Sequence, residues 1–218
     1  MLTQIGTDTE LSAVNSILGS IGQSPVTTLG TVTTDSTSSG QELVNTFANP
    51  QIALIHNILM ESNKNVQNEG WHFNKEDKVE IAPDGNGYFV VPSNYLRMDM
   101  HDGQYEKHRD VVRKDGKLWD NVNHTNKFTK SYYFDITYLF AFDDVPPAIQ
   151  RLIISRASIK AATQLVSNPD LVKLLQLEEA QNKAAALEYD CEMGDHTFFG
   201  LPQQSSYRSY QPYKALIR

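Results

Sequence analysis

Leu11, Val14, Leu18 and Ile21 recur at three- and four-residue spacing, the pattern of one buried helix face. Thr7 and Glu10 fit a capping box ahead of that face. Gly22 suits the left-handed residue after a helix, and Pro25 bars its continuation. Residues 30–40, GTVTTDSTSSG, are rich in threonine, serine and glycine and predict a mobile loop. Residues 41–47 predict a short helical lead-in. Asn49 and Pro50 then supply a cap oxygen and an N1 proline for a second helix, which carries Ile52, Ile55, Leu59 and Val66 on one face. Gly70 closes it, and Trp71 and Phe73 alternate with His72 as in a strand.

The period changes to two after residue 71. Residues 79–82, 87–91, 105–113 and 132–142 predict short strands, with PDGNG, HDG and KDG as turns between them. Tyr132, Phe134, Ile136, Tyr138, Phe140 and Phe142 share one face of the last strand, a large aromatic payload for a small sheet. Pro146 and Pro147 open a third helix over 148–166, with Ile149, Leu152, Ile153, Ala157, Ala161 and Leu165 inward. Asn168 and Pro169 repeat the cap-plus-proline device for a fourth helix that runs to about residue 194, roughly 37 Å long. Its predicted inward stripe is Leu177, Ala180, Ala184, Leu187 and Cys191, and its other face carries Glu178, Glu179, Glu188, Asp190 and Glu192.

From residue 201 periodicity disappears. LPQQSSYRSYQPYKALIR has two prolines and three tyrosines at three-residue spacing, and predicts an extended arm that cannot bury itself alone. The expected class is α+β, an antiparallel-type bundle of about four helices (residues 1–70 plus 143–200) with an inserted β subdomain (71–142) and an extended C-terminal arm (201–218).

Composition narrows the chemistry. A net charge of -7 over 218 residues argues against a general grip on a nucleic-acid backbone, which needs a basic surface. Cys191 is the sole cysteine, so no internal disulfide forms and a structural zinc site is not expected. The opening residues MLTQIGTDTE lack a basic n-region and an apolar run, so neither a signal peptide nor a membrane helix is expected, and the protein is expected in the cytoplasm or in something assembled there.

The cluster Asp99, His101, Asp102, Glu106, His108 and Asp110 has the residue types of a metal or acid–base site. Glu106, His108 and Asp110 would share one strand face, and the ordinary alternative is an exposed hairpin around HDG. No G-x-S-x-G elbow, Walker-A pattern or G-x-G-x-x-G occurs, so serine hydrolysis and nucleotide binding lack a motif. Cys191 reads as a small core residue rather than a nucleophile. Trp71 and Phe73 read as core packing before they read as a base-stacking platform. No cofactor and no enzymatic activity are expected.

Several pieces, taken in order, resemble the tail tubular protein A family, the adaptors of short-tailed phages. They are LSAVNSILGSIGQSPVTTL at 11–29, EGWHFN at 69–74, PSNYLRMD at 92–99, DGKLWDNVNHTNKF at 115–128, FDDVPPAIQRLIISRAS at 142–158 and LLQLEEAQNKAAALEYDCEMGD at 174–195. They run in family order over about nine-tenths of the chain. The resemblance implies a structural virion protein. Such a protein would form a twelve-fold ring at the portal vertex, assembled in the host cytoplasm, with the capsid portal above and a nozzle of the tail tubular protein B type below. Double-stranded DNA would leave through its lumen, and no membrane is involved. The resemblance brings no catalytic residues with it.

In such a ring the acidic face of Glu178, Glu179, Glu188, Asp190 and Glu192, ordinarily just a solvated face, would line the channel and keep DNA from sticking. Tyr207, Arg208, Tyr210, Tyr213 and Arg218 have the composition that interfaces favour, and the arm is expected to clasp a neighbouring adaptor or the portal. The rival from another class is a small metal-assisted hydrolase on the Glu106, His108 and Asp110 strand. A DNA-binding module fits the charge least.

Overall fold

The computed structural model describes residues 9–35, 42–47, 49–101 and 110–194, with the backbone alone for 31–35 and 42–47. Four helices and small antiparallel sheets make the fold α+β, as the sequence predicts. The chain divides into two units: Met1–Val66 with Ala141–Tyr189, and Gln67–Phe140 with Asp190–Arg218.

The first unit is helical. Helix α1 (Glu10–Ser20) is capped by Thr9, whose hydroxyl accepts the Ser12 amide at 3.3 Å. The cap therefore falls on Thr9 rather than Thr7. Glu10 is bound instead to His56 Nε2 at 3.1 Å, which ties α1 to the helix that carries His56. Gly22 takes φ +74°, as a post-helical glycine should. Residues 30–47 depart from expectation. Strands β1 (Gly30–Asp35) and β2 (Glu42–Phe47) pair antiparallel from Gly30↔Phe47 to Asp35↔Glu42, where the composition predicts a loop and a helical lead-in. Three threonines and a valine make β1 a run of β-branched residues, and that preference overrides the loop-like composition.

Helix α2 (Pro50–Gln67) starts as predicted, with the Gln51 amide on Asn49 Oδ1 at 3.0 Å. Helix α3 (Pro147–Ala161) packs against α1, and Ile149, Leu152, Ile153, Ala157 and Ala161 are fully buried. Its last turn widens into a π-helix, Ala162–Val166, closed by the Ser167 amide on the Ala162 carbonyl at 2.9 Å. The wider turn shifts the phase of the face, so Leu165, predicted inward, is 38% exposed. Asn168 then caps α4 (Pro169–Gly194) through the Asp170 amide at 3.0 Å.

The second unit is β. Strand β7 (Tyr132–Tyr138) is the centre of a three-stranded antiparallel sheet, flanked by β3 (Lys75–Ile81) and β4 (Tyr95–Met100). It holds that place because Tyr132, Phe134 and Ile136 are buried and meet Phe89, Val91, Val111, Leu118 and Phe128 in one core. Strands β5 (Val111–Lys114) and β6 (Lys117–Asp120) form a separate hairpin. Its turn is Asp115 and Gly116 at φ +50° and +71°, the mirror-image geometry that suits strand twist. Residues 87–91 run beside β6 through one bridge, Val90↔Lys117, and form no strand of their own. Phe73 lies in a 3₁₀ turn, His72–Asn74, that Trp71 caps, so neither is in a strand, and Trp71 is buried as core.

An amide network closes this unit. Gln67 Nε2 donates to the Phe140 carbonyl at 2.9 Å, and the Phe140 amide donates back to Gln67 Oε1 at 2.8 Å. Asn74 Nδ2 donates to the Gln67 and Tyr138 carbonyls, and Asn74 Oδ1 accepts the Trp71 amide at 2.9 Å. The first and last residues of the 67–140 segment are thereby stitched together. Tyr138 adds a hydroxyl bond to Glu76 at 3.0 Å. Burial, reinforced by that carboxylate, pushes its phenol well above the usual range and keeps it a donor.

Candidate assembly surfaces

Helix α4 has two apolar sides. Leu175 and Ala186 are buried, and on their side Glu179 Oε1 accepts Arg156 Nε at 3.0 Å with both side chains about four-fifths covered. The predicted inward stripe is the other side. Leu177 is 64% exposed and Leu187 47%, and Ala180, Ala184 and Cys191 are exposed with them. The pattern correctly marks an apolar stripe, but the chain's own core takes the opposite face, through Leu175 and Ala186. The exposed residues 177, 180, 184, 187 and 191 alternate spacings of three and four, the seam that one helix presents to another surface. Leu174, 65% exposed, extends it.

The five acidic residues of α4 separate in the same way. Glu178, Glu188 and Glu192 are exposed along one edge of the seam. Glu179 is held by Arg156, and Asp190 accepts the His72 amide at 2.7 Å, so these two are not free acidic groups of a solvated face.

The sequence reading missed a basic and aromatic surface on the second unit. Lys114 Nζ stands 4.9 Å from the Trp119 ring centre and Lys117 Nζ 3.8 Å from that of Tyr88, both cation–π distances. A hollow of about 390 Å³ lies between Lys114, Asp115, Lys117, Leu118, Trp119 and Asn126. Val90, bridged to Lys117, is 60% exposed beside it, and Lys127 is exposed nearby in sequence. The available signal is the density of lysine around KDGK in an otherwise acidic chain, with Trp119 two residues on.

The proposed metal strand comes out differently for each residue. Glu106, His108 and Asp102 lie outside the described residues. Asp99 sits 3.8 Å from Arg97, His101 Nδ1 pairs with Asp135 at 2.7 Å, and Asp110 accepts Asn121 Nδ2 at 3.1 Å. Among the described residues no group of three or more His, Cys, Asp or Glu side chains is placed to hold a metal ion. Among them, too, no helix is long and apolar enough to cross a membrane. The arm residues Tyr207, Arg208, Tyr210, Tyr213 and Arg218 lie outside the described residues.

Among the described residues, the exposed α4 seam and the lysine–aromatic patch are surfaces of the kind that other chains cover. A family model, tail tubular protein, matches residues 11–196, and the chain belongs to that family. It is a structural protein of a phage tail. No curated protein matches it.

Proposed function

We propose that this chain is the ring-forming adaptor that joins the capsid portal to the tail nozzle at the portal vertex. Its ring would form part of the channel through which double-stranded DNA leaves. Membership of the tail tubular family supports this, as does the ordered resemblance to short-tailed phage adaptors, which supplies the twelve-fold count and assembly in the host cytoplasm. The single observation that carries it is the second face of α4, an apolar seam that the described chain leaves in solvent. A seam with Leu177 and Leu187 about half or more exposed is costly to keep wet, and a neighbouring copy is the economical cover. A stable junction should remove at least about 1,000 Å² in total from solvent.

In this reading the helical unit supplies a ring-forming face, other loops of the β subdomain meet the nozzle, and residues 201–218 clasp the portal or a neighbour through Tyr207, Arg208, Tyr210, Tyr213 and Arg218. Truncation after Leu201 should leave a folded subunit and weaken its co-sedimentation with portal. Equal binding by the truncated and full chains would remove the arm from the account.

A further inference from the structure

Resting on that ring reading, we infer that each junction seats the α4 seam of one copy on the basic hairpin β5–β6 of the next. The argument begins with charge. Glu178, Glu188 and Glu192 edge the seam, so two α4 helices brought face to face would set acid against acid. The self-complementary two-fold dimer is therefore disfavoured, and the partner surface must be both apolar and basic. This chain carries one. Lys114 and Lys117 have aromatic rings and no carboxylate as partners among the described residues, and Val90 and Trp119 present apolar surface beside them.

The shapes agree with the charges. The hollow of about 390 Å³ between Lys114, Asp115, Lys117, Leu118, Trp119 and Asn126, in which two lysines outnumber one carboxylate, can receive a protruding leucine. Leu174, Leu177 and Leu187 stand out from α4 by their exposure. The small Ala180 and Ala184 let the hairpin approach the helix between them. Different patches on the two sides make the contact heterologous, which is the kind that propagates into a ring. The pairing places Glu178 and Glu188 at the junction rather than in the lumen, where the ring implied by the resemblance would set them. It also gives the lysines of this acidic chain an anionic protein surface rather than nucleic acid.

The test uses full-length chains with charges exchanged between the two surfaces. One variant carries Lys114→Glu and Lys117→Glu; the other carries Glu178→Lys and Glu188→Lys. All four sites are at least partly exposed, and circular dichroism checks each fold. With portal present, neither variant alone should give rings by electron microscopy, because each puts like charges at every junction. Their equimolar mixture should, because alternating copies restore every pair. The chain carrying all four changes should also recover rings. Lys114→Ala with Lys117→Ala, which removes attraction without adding repulsion, should lower ring yield by about tenfold or more.

Rings from either reversed variant alone, at the yield of the unmodified chain, would overturn the pairing and leave the ring reading standing. Reversal of the lysines that abolishes double-stranded DNA retention while rings persist would overturn it too, and assign the patch to nucleic acid. Failure of the unmodified chain to form rings with portal would overturn both readings.

Discussion

Asn74 shows how much one side chain can hold. It is 1% exposed and makes three hydrogen bonds, two to carbonyls and one from the Trp71 amide. Asn74→Ala removes all three bonds from a buried site, though the Gln67 carbonyl keeps the Gly70 amide at 3.1 Å, and should cost about 2–4 kcal/mol in urea unfolding. A loss under about 1 kcal/mol would mean that water replaces the amide. Two glycines separate backbone strain from clash. At Gly116, φ +71°, an added Cβ meets nothing within 4 Å, so Gly116→Ala should cost only the left-handed penalty, about 1 kcal/mol. At Gly87, φ +83°, the Cβ would lie 3.1 Å from the Phe128 carbonyl oxygen, and Gly87→Ala should cost more by the same measurement. Of these features, the KDG turn was legible beforehand because turn chemistry is local. The triple role of Asn74 was not, because two of its partners arrive from 7 and 64 residues away.

The elements were legible where sequence neighbours decide them. Asn49–Pro50 and Asn168–Pro169 mark helix starts that the hydrogen bonds confirm, and Gly70 at φ +80° marks a stop. The central strand β7 was legible from its alternation, although the alternation runs on to residue 142 while the strand ends at Tyr138 and Phe142 opens a 3₁₀ turn. The β1–β2 hairpin was not, since polar β-branched residues read equally as loop until a partner strand is known. The phase of α3 past Ala161 was lost to a π-turn that no residue pattern announces. For α4 the pattern showed an apolar stripe but not which apolar side the chain itself would cover. A matched pair of substitutions measures this directly. Leu175→Ala, on the buried side, should destabilise by about 2–4 kcal/mol. Leu177→Ala, 64% exposed, should stay within about 0.5 kcal/mol of the unmodified chain. Equal losses would mean that the exposed seam is part of the monomer's own core.

At the scale of the whole molecule, the two units are each closed internally, one by helix packing and the other by an aromatic core and an amide clasp. What each leaves in solvent is unlike what the other leaves: an acidic apolar helix face and a basic aromatic hairpin. That difference is the basis of the proposed junction between copies. It was only half legible, because the acidic face reads along one helix, whereas the basic one joins Tyr88 to the separate run of Lys114, Lys117 and Trp119 and shows its ring contacts only in the fold. The metal-site alternative began from a local run of carboxylates and imidazoles, and its described members are engaged by Arg97, Asp135 and Asn121. The central claim is that copies of this chain close on one another at the portal. Electron microscopy of the purified chain mixed with portal tests it most directly. The account predicts a closed, rotationally symmetric ring of subunits seated on the portal. Portal particles left bare, with the chain remaining as single subunits in the background, would contradict it.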